Sequence, residues 1–132
     1  MKAAARIRRD EKGQTATELA LVLPVFCLLL FGIIQFGIVF NNYVTVTDAV
    51  RAGARKAAVS RLEANPCGAA QDAIRKSAGG LDQVKLTVSP CVSTWQPGTD
   101  VTVEASYPYE INLLGFVAAS GRLTSTTTER VE

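Results

Sequence analysis

The sequence predicts an α+β protein. A single N-terminal membrane-spanning helix continues beyond the lipid as a long helix, and a small antiparallel three-stranded sheet domain follows. Three observations predict it. Leu19 to Phe40 reads LALVLPVFCLLLFGIIQFGIVF, with Gln35 as its only polar side chain. The stretch that follows is rich in alanine and arginine and has no proline before Asn65-Pro66. Beyond Gly79-Gly80 the apolar residues switch to a period of two, the spacing of strands.

The apolar run is long enough to cross a membrane, since about 20 such residues cover a hydrocarbon core of about 30 Å. It exceeds the roughly 7–15-residue apolar region of a signal peptide. The nearest small-x-small site, Ala52-Gly53-Ala54, lies well past its end. No charge occurs from Leu19 to Thr47, and so small a chain has no core to surround a helix that is apolar on all sides. Ahead of the run, Lys2, Arg6, Arg8, Arg9 and Lys12 outnumber Asp10 and Glu11. The positive-inside rule keeps this end, residues 1–13, in the cytoplasm as a leader. A single-pass protein of the inner membrane follows, with its C-terminal domain outside. Arg51, Arg55, Lys56 and Arg61 are also basic, but they belong to a domain that can be translocated regardless of charge.

Residues 14–62 read as one long helix carrying the transmembrane segment 19–40. From Thr15 to Arg61 it would measure about 70 Å at 1.5 Å per residue. Val46, Ala49, Val50, Gly53, Ala57 and Leu62 fall along one stripe. Within it Ala49, Gly53 and Ala57 recur at i, i+4 and i+8, which leaves a shallow groove for another backbone. Alanine is also simply a good helix residue. Asn65-Pro66 is a stop signal.

Residues 63–132 read as a small extracytoplasmic α+β domain. A second helix, Gly68 to Ala78, ends at Gly79-Gly80. Val84, Leu86 and Val88 alternate with polar residues, as do Val101, Val103, Ala105 and Tyr107, and Leu123 to Val131 is threonine-rich. These are three strands, with Gln96-Pro97-Gly98-Thr99 turning between the first two. Ile111 to Ala119 is apolar and reads as a short helix or an interfacial flap. Trp95 lids a small core or serves as an exposed contact.

Composition narrows the function. The 132 residues carry a formal net charge of +2, and near-balance gives no support for a nucleic-acid partner. There is no histidine, which removes Ser-His and Cys-His nucleophiles and the commonest general base. Three cysteines are too few for a four-cysteine zinc site, and no cofactor or metal is expected. Asp48, Asp72, Asp82, Asp100, Glu104 and Glu110 show no paired spacing of an acid–base site. Cys27 lies within the apolar run as an inert thiol. Cys67 and Cys91 are the disulfide pair expected in an oxidising compartment.

The junction before the apolar run carries the strongest motif. Arg8-Arg9-Asp10-Glu11-Lys12-Gly13 is followed by Gln14-Thr15-Ala16-Thr17-Glu18. A short basic leader ending in glycine, with glutamate five residues on, resembles the prepilin-peptidase site of type IV pilins. The apolar helix with its early Pro24 is similar to the first half of a pilin assembly helix. Within that superfamily the chain most resembles the TadE-like proteins of tight-adherence (Tad/Flp) pilus systems. The similarity rests on TATELALVLPVFCLLLFGIIQFGIVF and DAVRAGARKAAV, and Arg130-Val131-Glu132 resembles the family's C-terminal end. Leu19 stands where the family often has an aromatic residue. The resemblance implies cleavage between Gly13 and Gln14, and pairing of Glu18 with the terminal amine of a neighbouring subunit. It further implies partnership with a prepilin peptidase, other pilins or pseudopilins and the Tad assembly platform. A local pattern competes for the same residues, because Thr15-x-x-Glu18 is also a capping box.

Two functions follow as expectations. The first is a minor pilin or pseudopilin, trimmed after Gly13 and used in assembling a Tad-type pilus. The alternative is an unprocessed single-pass protein anchoring an envelope or secretion complex. A membrane-anchored enzyme is disfavoured by the missing acid–base and nucleophile patterns.

Overall fold

A computed structural model describes the backbone of residues 3–132 and the side chains from Gly13 onward. The basic side chains of the leader, Lys2, Arg6, Arg8, Arg9 and Lys12, lie outside the described residues. The architecture is α+β. A long helix, α1 (Ala3–Val59), is followed by α2 (Pro66–Ser77) and an antiparallel sheet of order β1-β2-β3. The strands are β1 (Thr87–Val88), β2 (Asp100–Leu113) and β3 (Phe116–Arg130).

Helix α1 has 57 residues, which corresponds to about 85 Å at 1.5 Å per residue. It begins well before Thr15, so Thr15 stands inside the helix and not at its N-cap. Alanine, arginine, glutamate and lysine before Gly13 are good helix formers and extend the helix through the junction. The helix ends at Val59, short of Arg61. There Ser60 N–H donates to Ala57 O at 3.1 Å, and Lys56 Nζ bonds Glu63 Oε1 at 2.7 Å across the turn. That hydrogen bond holds the Glu63 carboxyl below its ordinary pKa.

Helix α2 starts two residues earlier than its composition suggested. Asn65 is its N-cap, accepting from Gly68 N at 2.9 Å, and Pro66 occupies the first helical turn. The pair that looked like a stop for α1 is the start of α2, because asparagine satisfies a free amide and proline needs none.

The core forms where α2 and one face of the sheet both cover the second half of α1. Val46, Ala49, Val50, Ala54 and Ala57 are buried on α1, Ala70 and Ile74 on α2, and Val101, Val103 and Ala105 on β2. Val131 joins them from beyond β3. Glu132 N–H donates to Ala58 O at 3.0 Å, which ties the end of the sheet to the end of α1. Trp95, at φ 56°, packs partly buried against this core.

Three strand features differ from the alternation read in the sequence. The first strand is short, because Asp82 captures the chain before it. Asp82 Oδ1 accepts from Val84 N at 3.0 Å, and its carbonyl accepts from Lys85 N and Leu86 N. Val84 is left 95% exposed while Leu86 is buried. The second strand runs on through Pro108 to Leu113. Proline is tolerated there because β1 pairs with β2 only at Ala105 and Ser106, leaving that edge open at 108. Third, Ile111 to Ala119 is strand and turn and not a short helix. It is the end of the β2–β3 hairpin, paired from Asp100↔Arg130 to Leu113↔Phe116 with a register shift at Ile111/Asn112. Leu114 (φ 50°) and Gly115 (φ 91°) make its two-residue turn, whose positive dihedrals match the twist of the strands.

Strand β2 runs antiparallel to α1. Its start lies near Ala58, through the bonds of Val131 to Thr99 and of Glu132 to Ala58. Farther on, Tyr107, Pro108, Tyr109 and Glu110 line an open recess with Asn42 of α1. The hairpin therefore points toward the apolar end of the helix.

Candidate functional site

The residues singled out by sequence fall into three places along α1 and a fourth at the Cys67–Cys91 bridge, and they do not converge on one pocket. Gly13, Gln14 and Glu18 occupy consecutive turns near its beginning. Thr17 Oγ1 donates to Gly13 O at 2.9 Å, and Gln14 Nε2 donates to Glu18 Oε1 at 3.3 Å, both bonds exposed. Among the described residues a side chain added at Gly13 would meet nothing within 4 Å, so none of them demands glycine there by packing.

The apolar run comes next. Leu21, Val25, Phe36 and Phe40 are each more than half exposed. Residues 13–59 contain a window of mean hydropathy 2.6 of which none is buried, so the helix is long and apolar enough to cross a membrane. A core helix of comparable composition would be covered by its neighbours. Cys27 sits in this run as a free thiol.

The third place is the small-residue stripe. Ala49 and Ala57 are buried, and Gly53 lies under α2. A Cβ on Gly53 would collide with Ile74 Cγ1, lie 2.8 Å from Ile74 Cδ1 and lie 3.0 Å from Ala70 O. The backbone that uses this groove is α2 of the same chain. Ile74 was not picked out by sequence; its position between Ala70 and Ala78 on one face of a helix was the available signal.

Cys67 in the first turn of α2 is bonded to Cys91, with the Cα atoms 5.6 Å apart, and Cys91 N–H points at Cys67 Sγ at 3.0 Å. The bond fastens α2 to the segment leading into β2. The acidic residues do not gather. No group of three or more His, Cys, Asp or Glu side chains placed to hold a metal occurs among the described residues. Glu104 accepts from Ser89 Oγ and Thr126 Oγ1 on the polar face of the sheet.

No curated protein and no solved structure matches the chain. The family model of TadE-like protein matches residues 13–55, from the glycine of the expected cleavage site to the packed part of α1. Over that segment, about a third of its length, the chain is similar to TadE-like proteins.

Proposed function

We propose that this chain is a minor pilin or pseudopilin-like structural subunit of a Tad-type pilus, inserted in the inner membrane by α1 with its N-terminus cytoplasmic. In this reading residues 1–13 are a leader removed by a prepilin peptidase. The rest of α1, residues 14–59, carries the transmembrane segment 19–40, and residues 63–132 belong to the domain outside. Its work is mechanical: it offers an apolar helix to lipid first and to other pilus components afterwards. The observation that supports this best is the fully uncovered apolar half of a TadE-like helix whose other half is the spine of a folded domain. A helix built only as an anchor has no need to continue unbroken into the core, whereas a subunit passed from membrane to filament gains from moving as one rigid rod.

A second reading, an unprocessed anchor for an envelope complex, is favoured by one feature. The helix runs unbroken through Gly13 and Gln14, so the expected scissile bond is held in helical form. A peptidase needs that turn opened into extended chain. Glycine in a helix costs roughly 0.5–1 kcal/mol relative to alanine, which makes this turn the cheap one to open. Sequencing the N-terminus of the protein recovered from membranes decides between the two: Gln14 supports processing, and Met1 or Lys2 supports the anchor.

A further inference from the structure

The β2–β3 hairpin extends beyond the core as a two-stranded arm, and its sides differ. In an antiparallel pair, partners share a face and alternate along the strand. The face that buries Val101, Val103 and Ala105 against α1 continues through Tyr107↔Leu123, Tyr109↔Gly121, Ile111↔Ala119 and Leu113↔Phe116. Every one of those residues is apolar, aromatic or glycine. The opposite face carries Pro108↔Arg122, Glu110↔Ser120 and Asn112↔Val117. At the tip Leu114 is 65% and Phe116 80% exposed.

The arm points along α1 toward its apolar run. Tyr107, Tyr109 and Glu110 are level with Asn42, just past the expected span. From Glu110 to Leu114 the strand advances about 13 Å at 3.3 Å per residue. That equals about nine residues of helix, which brings the tip beside the outer part of the 19–40 run. The chain has three tyrosines, Tyr43, Tyr107 and Tyr109, and all three fall within the stretch where the arm passes Asn42. Tyrosine at one level is the usual mark of a membrane–water boundary, its ring apolar and its hydroxyl wet. The ring of Tyr109 lies over Gly121, where a Cβ would come within 3.0 Å of it, so it is braced by its cross-strand partner.

We propose that this arm is a second membrane attachment: its apolar face and tip, through Ile111, Leu113, Leu114 and Phe116, dock into the outer surface of the bilayer that α1 crosses. The proposal rests on the membrane-spanning reading of α1. The depth is limited by hydrogen bonding. A two-stranded ribbon has two open edges whose amides and carbonyls cannot be left in hydrocarbon. The tip therefore stops at the headgroup–acyl boundary, where amphipathic elements bury roughly 5–10 Å, with the tyrosines among the headgroups. Two attachments fix the tilt of the outer domain over the membrane, and detachment of the arm accompanies withdrawal of the helix.

The test uses the full chain with Cys27→Ser, its disulfide intact, reconstituted in phosphatidylcholine–phosphatidylglycerol vesicles. An environment-sensitive fluorophore is attached at Phe116→Cys, and in separate samples at Ile34→Cys and Asp72→Cys. The expected result is a blue-shifted Phe116→Cys probe quenched by lipids spin-labelled near the headgroup. Ile34→Cys should be quenched by deep labels and Asp72→Cys by aqueous iodide alone. A Phe116→Cys probe as accessible to iodide as Asp72→Cys, with Ile34→Cys buried, overturns the arm and leaves the span standing. If Ile34→Cys is also aqueous, the span itself fails and the arm with it. Shielding that appears only as protein-to-lipid ratio rises assigns the tip to a second copy of the chain, which also overturns the proposal.

Discussion

Ile74 of α2 lies over Gly53 of α1, so close that a methyl group at residue 53 would collide with Ile74 Cγ1 and come within 3.0 Å of the Ala70 carbonyl. The contact lets two helices approach where an ordinary side chain would hold them apart. It turns the stripe of Ala49, Gly53 and Ala57 into an internal joint. The outer domain is thereby fixed to the rod that carries it.

Gly53→Ala measures this joint. In a free helix the change would gain about 1 kcal/mol of propensity. Here overpacking costs about 1–3 kcal/mol, and the nearer clashing atom is not the flexible end of the side chain. The variant should lose about 1 kcal/mol net in denaturant unfolding followed by Trp95 fluorescence in micelles. Ile74→Ala should cost about 2–5 kcal/mol alone and clearly less on the Gly53→Ala background, because the two residues share one space. A Gly53→Ala variant stabilised by the full helix-propensity gain of about 1 kcal/mol would show that the helices are not in close contact.

The bond between Cys67 and Cys91 spans a sequence separation of 24. Loop entropy assigns such a closure about 3 kcal/mol, a large share of the stability of a small domain. Replacing both cysteines by alanine should lower the unfolding free energy by about that amount. Thiol labelling of the unreduced, denatured protein should reach Cys27 alone; labelling at three positions would contradict the bridge.

What could be read from sequence was whatever repeated. The apolar run, the stripe from Val46 to Ala57 and the alternation Val101, Val103, Ala105 each state their period several times. The errors came where one side chain outweighed a pattern. Asp82 caps a turn and pulls Val84 out into water, although Val84, Leu86 and Val88 alternate well. Asn65-Pro66 signals both an end and a beginning, and the alternative depends on whether Asn65 reaches Gly68. Leu114 gives no hint that it will adopt φ 50°; only Gly115 beside it marks the hairpin turn, so Ile111 to Ala119 could not be placed. The expectation of processing at Gly13–Gln14 and of assembly through Glu18 rests on the resemblance alone. Among the described residues a side chain added at Gly13 would meet nothing within 4 Å, and Glu18 accepts a bond from Gln14 on its own helix.

Because no described residue packs on Gly13, its substitution separates processing from the stability of the folded domain. Gly13→Phe should leave the folded domain unchanged in thermal unfolding and leave the full-length precursor in the membrane. Glycine presents no side chain to an intramembrane peptidase and makes the helix easiest to open at that bond. Immunoblotting against a C-terminal tag reads the size difference directly. A Gly13→Phe protein trimmed as fast as the native one would remove the case for cleavage at Gly13–Gln14.

Glu18 supplies the last test. A lone carboxylate in hydrocarbon costs about 2.5–3.5 kcal/mol on insertion scales, so Glu18 needs a partner or a place at the interface. In the uncut helix the Gln14 amide is such a partner, at 3.3 Å. Cleavage after Gly13 would turn Gln14 into a terminal residue with a new α-amine, and the pilin resemblance implies that Glu18 of one subunit then pairs with the amine of its neighbour. Pairing would neutralise two charges and set the axial offset between helices, the register role buried polar groups play elsewhere. Glu18→Ala should therefore insert and be cleaved yet fail to enter filaments, as read by shearing pili from cells and blotting for the subunit. Glu18→Gln separates charge from hydrogen bonding. A glutamine at 18 can still bond the Gln14 side chain one turn away, so any purely local role of Glu18 survives the change. The charge pair does not. Normal assembly of the Glu18→Gln variant would leave the local hydrogen bond as the whole function of Glu18, whereas failed assembly after normal cleavage would show that the carboxylate acts between subunits.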